Sequence, residues 1–152
     1  MSETVKTRIL VIDDDENIRM VLKTLLEDEG YMVDTAENGY EAIGKSKEGF
    51  YNLALIDIKL PDMEGTKLLT AMKETFPPMV KIMVTGFPTM QNAIEAVNKG
   101  ADGFVTKPIE DMEDLLSKIR EHLKKQQEKK KFSEEKVAEF VESRAKELGY
   151  LT

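Results

Sequence analysis

The chain has 152 residues, of which 41% are hydrophobic and 34% are charged, with a formal net charge of −7. These values fit one domain with a short appendage and exclude wholesale disorder and low-complexity architecture. The absence of cysteine excludes disulfides, thiol catalysis and thiolate metal sites, and the net charge argues against general nucleic-acid binding. No apolar run approaches the ~20 residues that span a bilayer, and residues 1–8 lack a signal-peptide core, so we expect a cytoplasmic protein.

Short apolar runs alternate with longer segments of helical period along most of the chain. The first strand is the aliphatic run 9–12, and the apolar positions after it recur every three or four residues until Gly30. The remaining strands are predicted at 31–35, 53–56, 81–84 and 103–105, and the helices between them at about 39–47, 66–74 and 90–98. A last helix is predicted to begin at Pro108. This alternation predicts an α/β fold with a five-stranded parallel sheet and helices on both faces.

The pattern changes after Leu123. Residues 124–131 are polar on all sides, which fits either a solvated continuation of the last helix or a linker. Ser133 is a candidate N-cap for a further amphipathic helix. We therefore divide the chain into a domain at 1–124 and an extension at 125–152. Because one amphipathic helix is marginal alone, it must dock on this domain, on a second copy of the chain or on an absent effector.

Chemistry-bearing residues follow the predicted strands at the points where they end. The first strand ends in Asp13 and Asp14, the third in Asp57, the fourth in Thr85 and the fifth near Lys107. Because ligands of open parallel sheets bind at the carboxyl ends of the strands, we expect these side chains to meet. Clustered carboxylates favour a hard divalent cation such as Mg²⁺, and a lysine and a hydroxyl can hold a phosphoryl group. The pattern predicts a phosphoryl-transfer site with a carboxylate nucleophile.

The segments that carry these residues match a known family in order. They read ILVIDDD at 9–15, LIDIKLPDMEG at 55–65, TG at 85–86 and KP at 107–108. On these motifs the chain resembles the receiver domain of two-component response regulators, over about residues 8–123. The resemblance implies the CheY-like, flavodoxin-like (βα)₅ fold, here followed by a C-terminal helical extension.

The resemblance also implies roles for the acidic residues. Asp57 would be the phosphoacceptor and would also ligate Mg²⁺. Asp14 would be a direct Mg²⁺ ligand, Asp13 would act through water, and the backbone carbonyl of Lys59 would be a further ligand.

The resemblance assigns the remaining site residues to phosphate binding and switching. Lys107 would pair with the phosphoryl oxygens, Thr85 would move toward them, and Phe104 would be the aromatic switch residue. The bond between Lys107 and Pro108 would be cis. At the position two after the threonine, the bulk of Phe87 is expected to slow the loss of phosphate.

The phosphoryl donor implied by the resemblance is a sensor histidine kinase or a phosphotransfer protein. The one histidine, His122, falls inside the last predicted helix and is expected to be exposed, so the donor must be another protein. A homodimer through helix 4, strand 5 and helix 5 is a further candidate partner. No direct nucleic-acid contact is indicated, since no aromatic residue interrupts the lysine-rich run. We expect a signalling switch with no membrane contact, and not a metabolic enzyme.

One motif supports a different class of function. Residues 39–46, GYEAIGKS, match the phosphate-loop pattern G-x-x-x-x-G-K-[ST] of nucleotide-hydrolysing enzymes. That loop requires irregular backbone between its glycines and a full helix after its lysine. Here Ala42 and Ile43 continue an apolar helix face, and Gly49 follows Lys45 after only four residues. The P-loop enzyme is therefore the alternative function, and it leaves the aspartates, Thr85 and Lys107 unused.

Overall fold

The computed structural model describes residues 6–86 and 89–150. Five parallel strands form one sheet in the order β2-β1-β3-β4-β5. The strands are β1 (Arg8–Ile12), β2 (Met32–Ala36), β3 (Leu53–Ile56), β4 (Val80–Thr85) and β5 (Gly103–Thr106). This confirms the predicted parallel α/β fold and places β1 and β3 side by side at the centre of the sheet.

Four of the five helices begin with a polar side chain that caps the first turn. The helices are α1 (Glu16–Asp28), α2 (Gly39–Glu48), α3 (Leu68–Ala71), α4 (Met90–Asn98) and α5 (Met112–Glu147). Asp15, Asn38, Thr89 and Asp111 accept hydrogen bonds from backbone N–H groups in the first turns of α1, α2, α4 and α5. These bonds satisfy donors that have no partner within the helix.

The central strands are buried on both faces because successive side chains point to opposite sides. Ile9 and Val11 of β1 pack in one apolar cluster with α1 and α5. Leu10 and Ile12 pack in the other cluster, with residues of α2, α3 and α4. The continuous aliphatic runs of the sequence thus become a three-layer core that holds the strand ends in place.

The helix predicted at 66–74 is much shorter in the structure. A 3-10 turn at Gly65–Lys67 leads into α3, which ends at Ala71. Met72 adopts an extended backbone and is buried in the core. The N–H of Lys73 donates to Ser46 Oγ at 3.2 Å, so it does not continue the helix.

The last helix differs from the prediction at its start and in its length. It begins at Met112, four residues after Pro108, because Asp111 caps it. It then runs to Glu147 without a break, so residues 124–131 are the solvated continuation of the last helix, which was one of the two expected alternatives. Ser133 accordingly lies inside α5 and does not cap a separate helix.

His122 is half-buried against Gly103, and not exposed as expected.

A buried amide marks where α5 leaves the sheet. Gln126 is 4% exposed, and its Nε2 donates to the backbone carbonyls of Asn52 at 2.9 Å and Pro78 at 2.8 Å. All later residues of α5 are exposed except the half-buried Ser133 and Ala145. In the described part of the chain, no helix is long and apolar enough to cross a membrane.

Candidate functional site

Strand order brings the sequence-predicted residues to one edge of the sheet. Asp13 and Asp57 directly follow the adjacent strands β1 and β3, and both are buried. Their backbones extend the ladder, since Asp13 N–H donates to Ala36 O at 3.1 Å and Asp57 N–H donates to Ile12 O at 3.0 Å. The two carboxylates are therefore held by main-chain hydrogen bonds on rigid strands.

The Lys107 ammonium lies between these two carboxylates. Its Nζ is 2.5 Å from Asp13 Oδ2 and 3.2 Å from Asp57 Oδ2. The backbone of Lys107 is fixed by its N–H, which donates to Thr85 O at 2.7 Å. The Lys107–Pro108 peptide bond is cis, as the resemblance implied. The structure thus joins residues 94 positions apart in the chain into one ion-pair cluster.

Three carboxylates at this edge could hold a metal ion. Asp13, Asp14 and Asp57 each offer an oxygen, and these oxygens lie within 4.8 Å of one another. Asp14 is exposed, so the cluster is open to solvent on one side. Mg²⁺ prefers oxygen ligands and usually keeps several bound water molecules, so three carboxylates with one side open to solvent fit this ion. Lys59 is exposed beside the cluster, and its N–H lies 3.4 Å from Asp57 Oδ1.

The ionisation of the cluster is set by burial and by mutual charge. Burial raises the pKa of Asp57, and the charge of Asp13 adds to this, against the opposing effect of Lys107. Burial alone would lower the pKa of Lys107, but its hydrogen bond to Asp13 and the two carboxylate charges raise it. Lys107 therefore stays charged, and the Asp57 carboxylate is poorly stabilised without a further cation.

Arg19 supports the site, and the sequence analysis did not identify it. Its Nη1 donates to the backbone carbonyl of Asp13 at 2.7 Å, and only 15% of its side chain is exposed. Asp15, in contrast, is the N-cap of α1, accepting from Asn17 N–H at 2.8 Å and Ile18 N–H at 3.2 Å. A basic residue one turn after the acidic run was the available signal for Arg19.

The loop after Asp57 is held by two features. Gly65 packs so closely that a Cβ atom there would collide with the backbone carbonyl of Asp57. Asp62 reaches the N-terminus of α2, where its carboxylate oxygens accept from Gly39 N–H and Tyr40 N–H, each at 2.9 Å. These backbone hydrogen bonds lower the pKa of Asp62. The sequence marked Gly65 as a loop residue but contained no signal for the partners of Asp62.

Thr85 and Phe104 lie on the paired strands β4 and β5. Thr85 ends β4 and is fully buried, and it is paired in register with Thr106 of β5. Phe104 is half-buried against the second apolar cluster. Phe87 lies outside the described residues. Asp34 lies within β2 and not after its end, and its carboxylate pairs with Arg8, so it is not part of the site.

The P-loop alternative fails on backbone conformation. Residues 39–46 lie within α2, so they form a regular helix and not an irregular phosphate-binding loop. Lys45 is turned to the β2 side, where its Nζ donates to Thr35 O and pairs with Glu41 at 3.0 Å. The motif therefore has neither the loop nor the free lysine that nucleotide binding requires.

An apolar groove of about 500 Å³ opens beside Lys107. It lies between α1 and the segment that leads into α5. Its walls are formed chiefly by Ile18, Val21, Leu22, Pro108, Ile109 and Met112. Val21 is 52% exposed and its neighbour Met20 61%, so α1 presents apolar surface to solvent next to the acidic cluster.

Comparisons with known proteins agree with this geometry. The family model of the response regulator receiver domain matches residues 9–120. The uncharacterized transcriptional regulatory protein YkoG of Bacillus subtilis is 36% identical over 119 residues, covering 78% of this chain and 52% of that protein. The chain spans about half the length of the curated relatives it matches, and whole-protein activities of those relatives do not transfer directly.

Solved structures extend the likeness to three dimensions. A CheY-like response regulator receiver domain protein from Methanospirillum hungatei has a TM-score of 0.78 and 46% identity, covering 82% of this chain and 99% of its own. The response regulator TrrA of Thermotoga maritima, solved with Mg²⁺-BeF, has a TM-score of 0.68 and 34% identity, with coverages of 76% and 98%. The chain belongs to the response regulator receiver domain family of two-component signalling.

Proposed function

We propose that this receiver domain accepts a phosphoryl group on Asp57 in a Mg²⁺-dependent reaction. The observation that carries the proposal is the position of Lys107 Nζ, which contacts both Asp13 and Asp57 at the edge of the acidic cluster. A lysine held there can pair with the oxygens of a phosphoryl group on Asp57. The TrrA complex, solved with Mg²⁺ and a beryllium fluoride group, supports the same chemistry in a relative.

In the proposed reaction, a carboxylate oxygen of Asp57 attacks the phosphorus of a phosphohistidine. An O–P bond forms, the P–N bond breaks, and the imidazole nitrogen leaves with the electron pair and takes a proton from solvent. Asp13, Asp14, Asp57 and the Lys59 carbonyl would hold Mg²⁺, which when bound would neutralise charge on the phosphoryl oxygens. The chain's own contribution is positioning, since Asp57 is fixed on its strand end beside Lys107.

Phosphorylation would act as a switch through Thr85 and Phe104. Added charge at Asp57 would draw the Thr85 hydroxyl toward the phosphoryl oxygens and allow Phe104 to move inward. Helix α4 suits such a change because only Ala96 among its residues is fully buried. Its outer face exposes Met90, Ile94 and Val97 by 77%, 53% and 68%. We propose the surface of α4, β5 and α5 as the output, with a second copy of the chain as one candidate occupant.

The proposed donor is a sensor histidine kinase or a phosphotransfer protein in the cytoplasm. The groove beside Lys107 supports this assignment, since it places exposed apolar side chains of α1 next to the acceptor carboxylate. A partner helix bound there would bring its phosphohistidine to Asp57. The domain would then function as a signalling switch and not as a metabolic enzyme.

The proposal is tested by intact-protein mass after incubation with Mg²⁺ and a small acyl phosphate. We expect one added phosphate in the wild type and none in Asp57→Asn or in the presence of a chelator. Asp34→Asn is the matched control, because Asp34 pairs with Arg8 outside the cluster and should still allow the adduct. An adduct that persists in Asp57→Asn would contradict the assignment of the acceptor.

A further inference from the structure

The end of α5 presents an apolar face that no described residue of its own chain covers. Val137, Val141 and Leu148 are 62%, 58% and 61% exposed. Together with Glu134 and Arg144 they recur at alternating three- and four-residue steps, which places all five on one face of the helix. This set, named here the terminal face, begins eight residues after Gln126, the last buried residue of α5.

The charges on the terminal face distinguish between the two directions in which a second copy can bind. A parallel pair in register would place Glu134 against Glu134 and Arg144 against Arg144. Each contact would bring like charges together in the seam between the helices, which is destabilising. The parallel arrangement therefore has repulsion at two of the five layers.

The antiparallel arrangement removes both conflicts, and it places Leu148 opposite Lys130 and not opposite another apolar residue. With the two-fold axis near Glu139, Glu134 of each copy meets Arg144 of the other, and Val137 meets Val141. Arg144 already pairs with Glu147 at 2.6 Å, and its guanidinium has donors for a second carboxylate. Glu134 makes no ion pair within residues 6–86 and 89–150 and is exposed.

Flanking residues fit the same register. Phe140, which is 66% exposed, lies on one side of the terminal face near the two-fold axis and would pack on its own copy. Ala138 lies on the other side, where its small side chain lets the backbones approach. Glu139 at the centre points away from the seam, so the two copies of this acid do not meet.

We propose that a second copy of this chain binds the terminal face in an antiparallel two-helix contact centred near Glu139. Glu139 lies 13 residues after Gln126, about 20 Å at 1.5 Å per residue, so the two receiver domains project from opposite ends. The two Gln126 residues would then lie about 39 Å apart along the helix axis.

The test uses the absence of cysteine in the chain. Single-cysteine variants Ala138→Cys and Leu148→Cys are oxidised under mild conditions, and disulfide-linked dimers are measured on a non-reducing gel. The antiparallel contact predicts a dimer for Ala138→Cys and none for Leu148→Cys, whose copies lie at opposite ends of the seam. Dimer formation by Leu148→Cys would indicate a parallel pair. If neither variant formed a dimer, the chain would be a monomer. Either outcome would overturn the proposal.

Charge exchange gives an independent measurement. By light scattering over a range of concentrations, Glu134→Arg and Arg144→Glu should each lower the dimer fraction, and the double variant should restore it. A parallel pair would show no recovery, because the double variant again places like charges together. A dimer unaffected by any of these variants would use another surface and would also contradict the proposal. Unchanged phosphate acceptance shows that each variant is folded.

Discussion

At the residue scale, the site combines a functional requirement with a structural cost. Asp57 is buried beside another carboxylate, and both conditions raise its pKa. A residue chosen for stability alone would not be an ionisable acid at this position. Lys107 offsets part of the cost, and its two ion pairs hold the Asp57 carboxylate in place. In the proposed function, a bound cation would offset the rest.

Gly65 is the residue where close packing permits no side chain. We expect Gly65→Ala to lower the free energy of unfolding by about 1–3 kcal/mol, because its Cβ would displace the carbonyl of Asp57. The measurement is urea unfolding, combined with the rate of phosphate uptake, which should also fall.

Gly44→Ala is the matched control for that substitution. Gly44 lies in α2, and a Cβ there would meet nothing within 4 Å, so alanine should stabilise the helix by about 0.5–1 kcal/mol. If Gly65→Ala were as stable as Gly44→Ala, the close approach to Asp57 would not constrain the loop.

At the element scale, the loop after Asp57 connects the site to α2. The carboxylate of Asp62 caps α2 from 23 residues away along the chain. That loop also carries Lys59, whose carbonyl is a proposed Mg²⁺ ligand. The same hydrogen bonds therefore stabilise α2 and, under the proposed function, would also position the Lys59 carbonyl.

We expect Asp62→Ala to cost about 1 kcal/mol of stability, as the loss of an N-cap does, and to weaken Mg²⁺ binding. Asp111→Ala is the control, because Asp111 caps α5 with a hydrogen bond of 3.1 Å to Asp114 N–H and lies away from the acidic cluster. Thermal unfolding with and without Mg²⁺ measures both effects. Equal Mg²⁺ stabilisation of the two variants would show that Asp62 acts only as a cap.

A second contact between elements joins Arg8 of β1, Asp34 of β2 and Tyr51, which lies two residues before β3. Tyr51 donates to Asp34 Oδ2 at 2.6 Å, and Arg8 lies 4.7 Å from the Tyr51 ring centre. Burial and the hydrogen bond to Asp34 raise the pKa of Tyr51 from 10.0 to about 12. The folded chain therefore holds this proton at pH values where the unfolded chain releases it.

Because the folded state binds more protons in that window, stability should fall as pH rises from about 10 to about 12. Urea unfolding in steps across this range measures the slope. Tyr51→Phe should be less stable below the window but show a shallower decline within it. Tyr40→Phe, at a position 74% exposed, should retain the wild-type slope, and a shallower decline there would contradict the assignment to Tyr51.

At the scale of the whole molecule, the chain consists of a packed domain and a projecting helix. The last buried contact of α5 is made by Gln126, two residues beyond the boundary expected after residue 124. We therefore propose that the domain ends at about Gln126. The part of α5 after Gln126 has no buried residue, so its own helical hydrogen bonds and the proposed second copy of the chain would stabilise it.

Gln126→Ala should lower the free energy of unfolding by about 2 kcal/mol, since the buried amide would lose its two hydrogen bonds to the carbonyls of Asn52 and Pro78. Gln127→Ala is the control at the adjacent exposed position and should change stability by less than about 0.5 kcal/mol. Thermal unfolding measures the difference. Equal melting temperatures would mean that Gln126 does not anchor the helix to the sheet.

Periodicity and motif order in the sequence alone determined the main features of the protein. Short apolar runs predicted all five strands, and the runs of β1 and β3 are aliphatic throughout because those strands are buried on both faces. The residues at the strand ends predicted a site because parallel strands end at one edge of a sheet. In the structure, the predicted Asp13, Asp57 and Lys107 form one cluster.

Only the tertiary structure decided the features that depend on contacts between distant segments. The early end of α3 and the hydrogen bonds of Asp62 and Gln126 all use partners that no local pattern specifies. The polar run at 124–131 was equally compatible with a linker and a helix, and a single uninterrupted α5 resolved it. Local sequence encodes backbone preference and burial, whereas these partners become neighbours only after the strands have been ordered in the sheet.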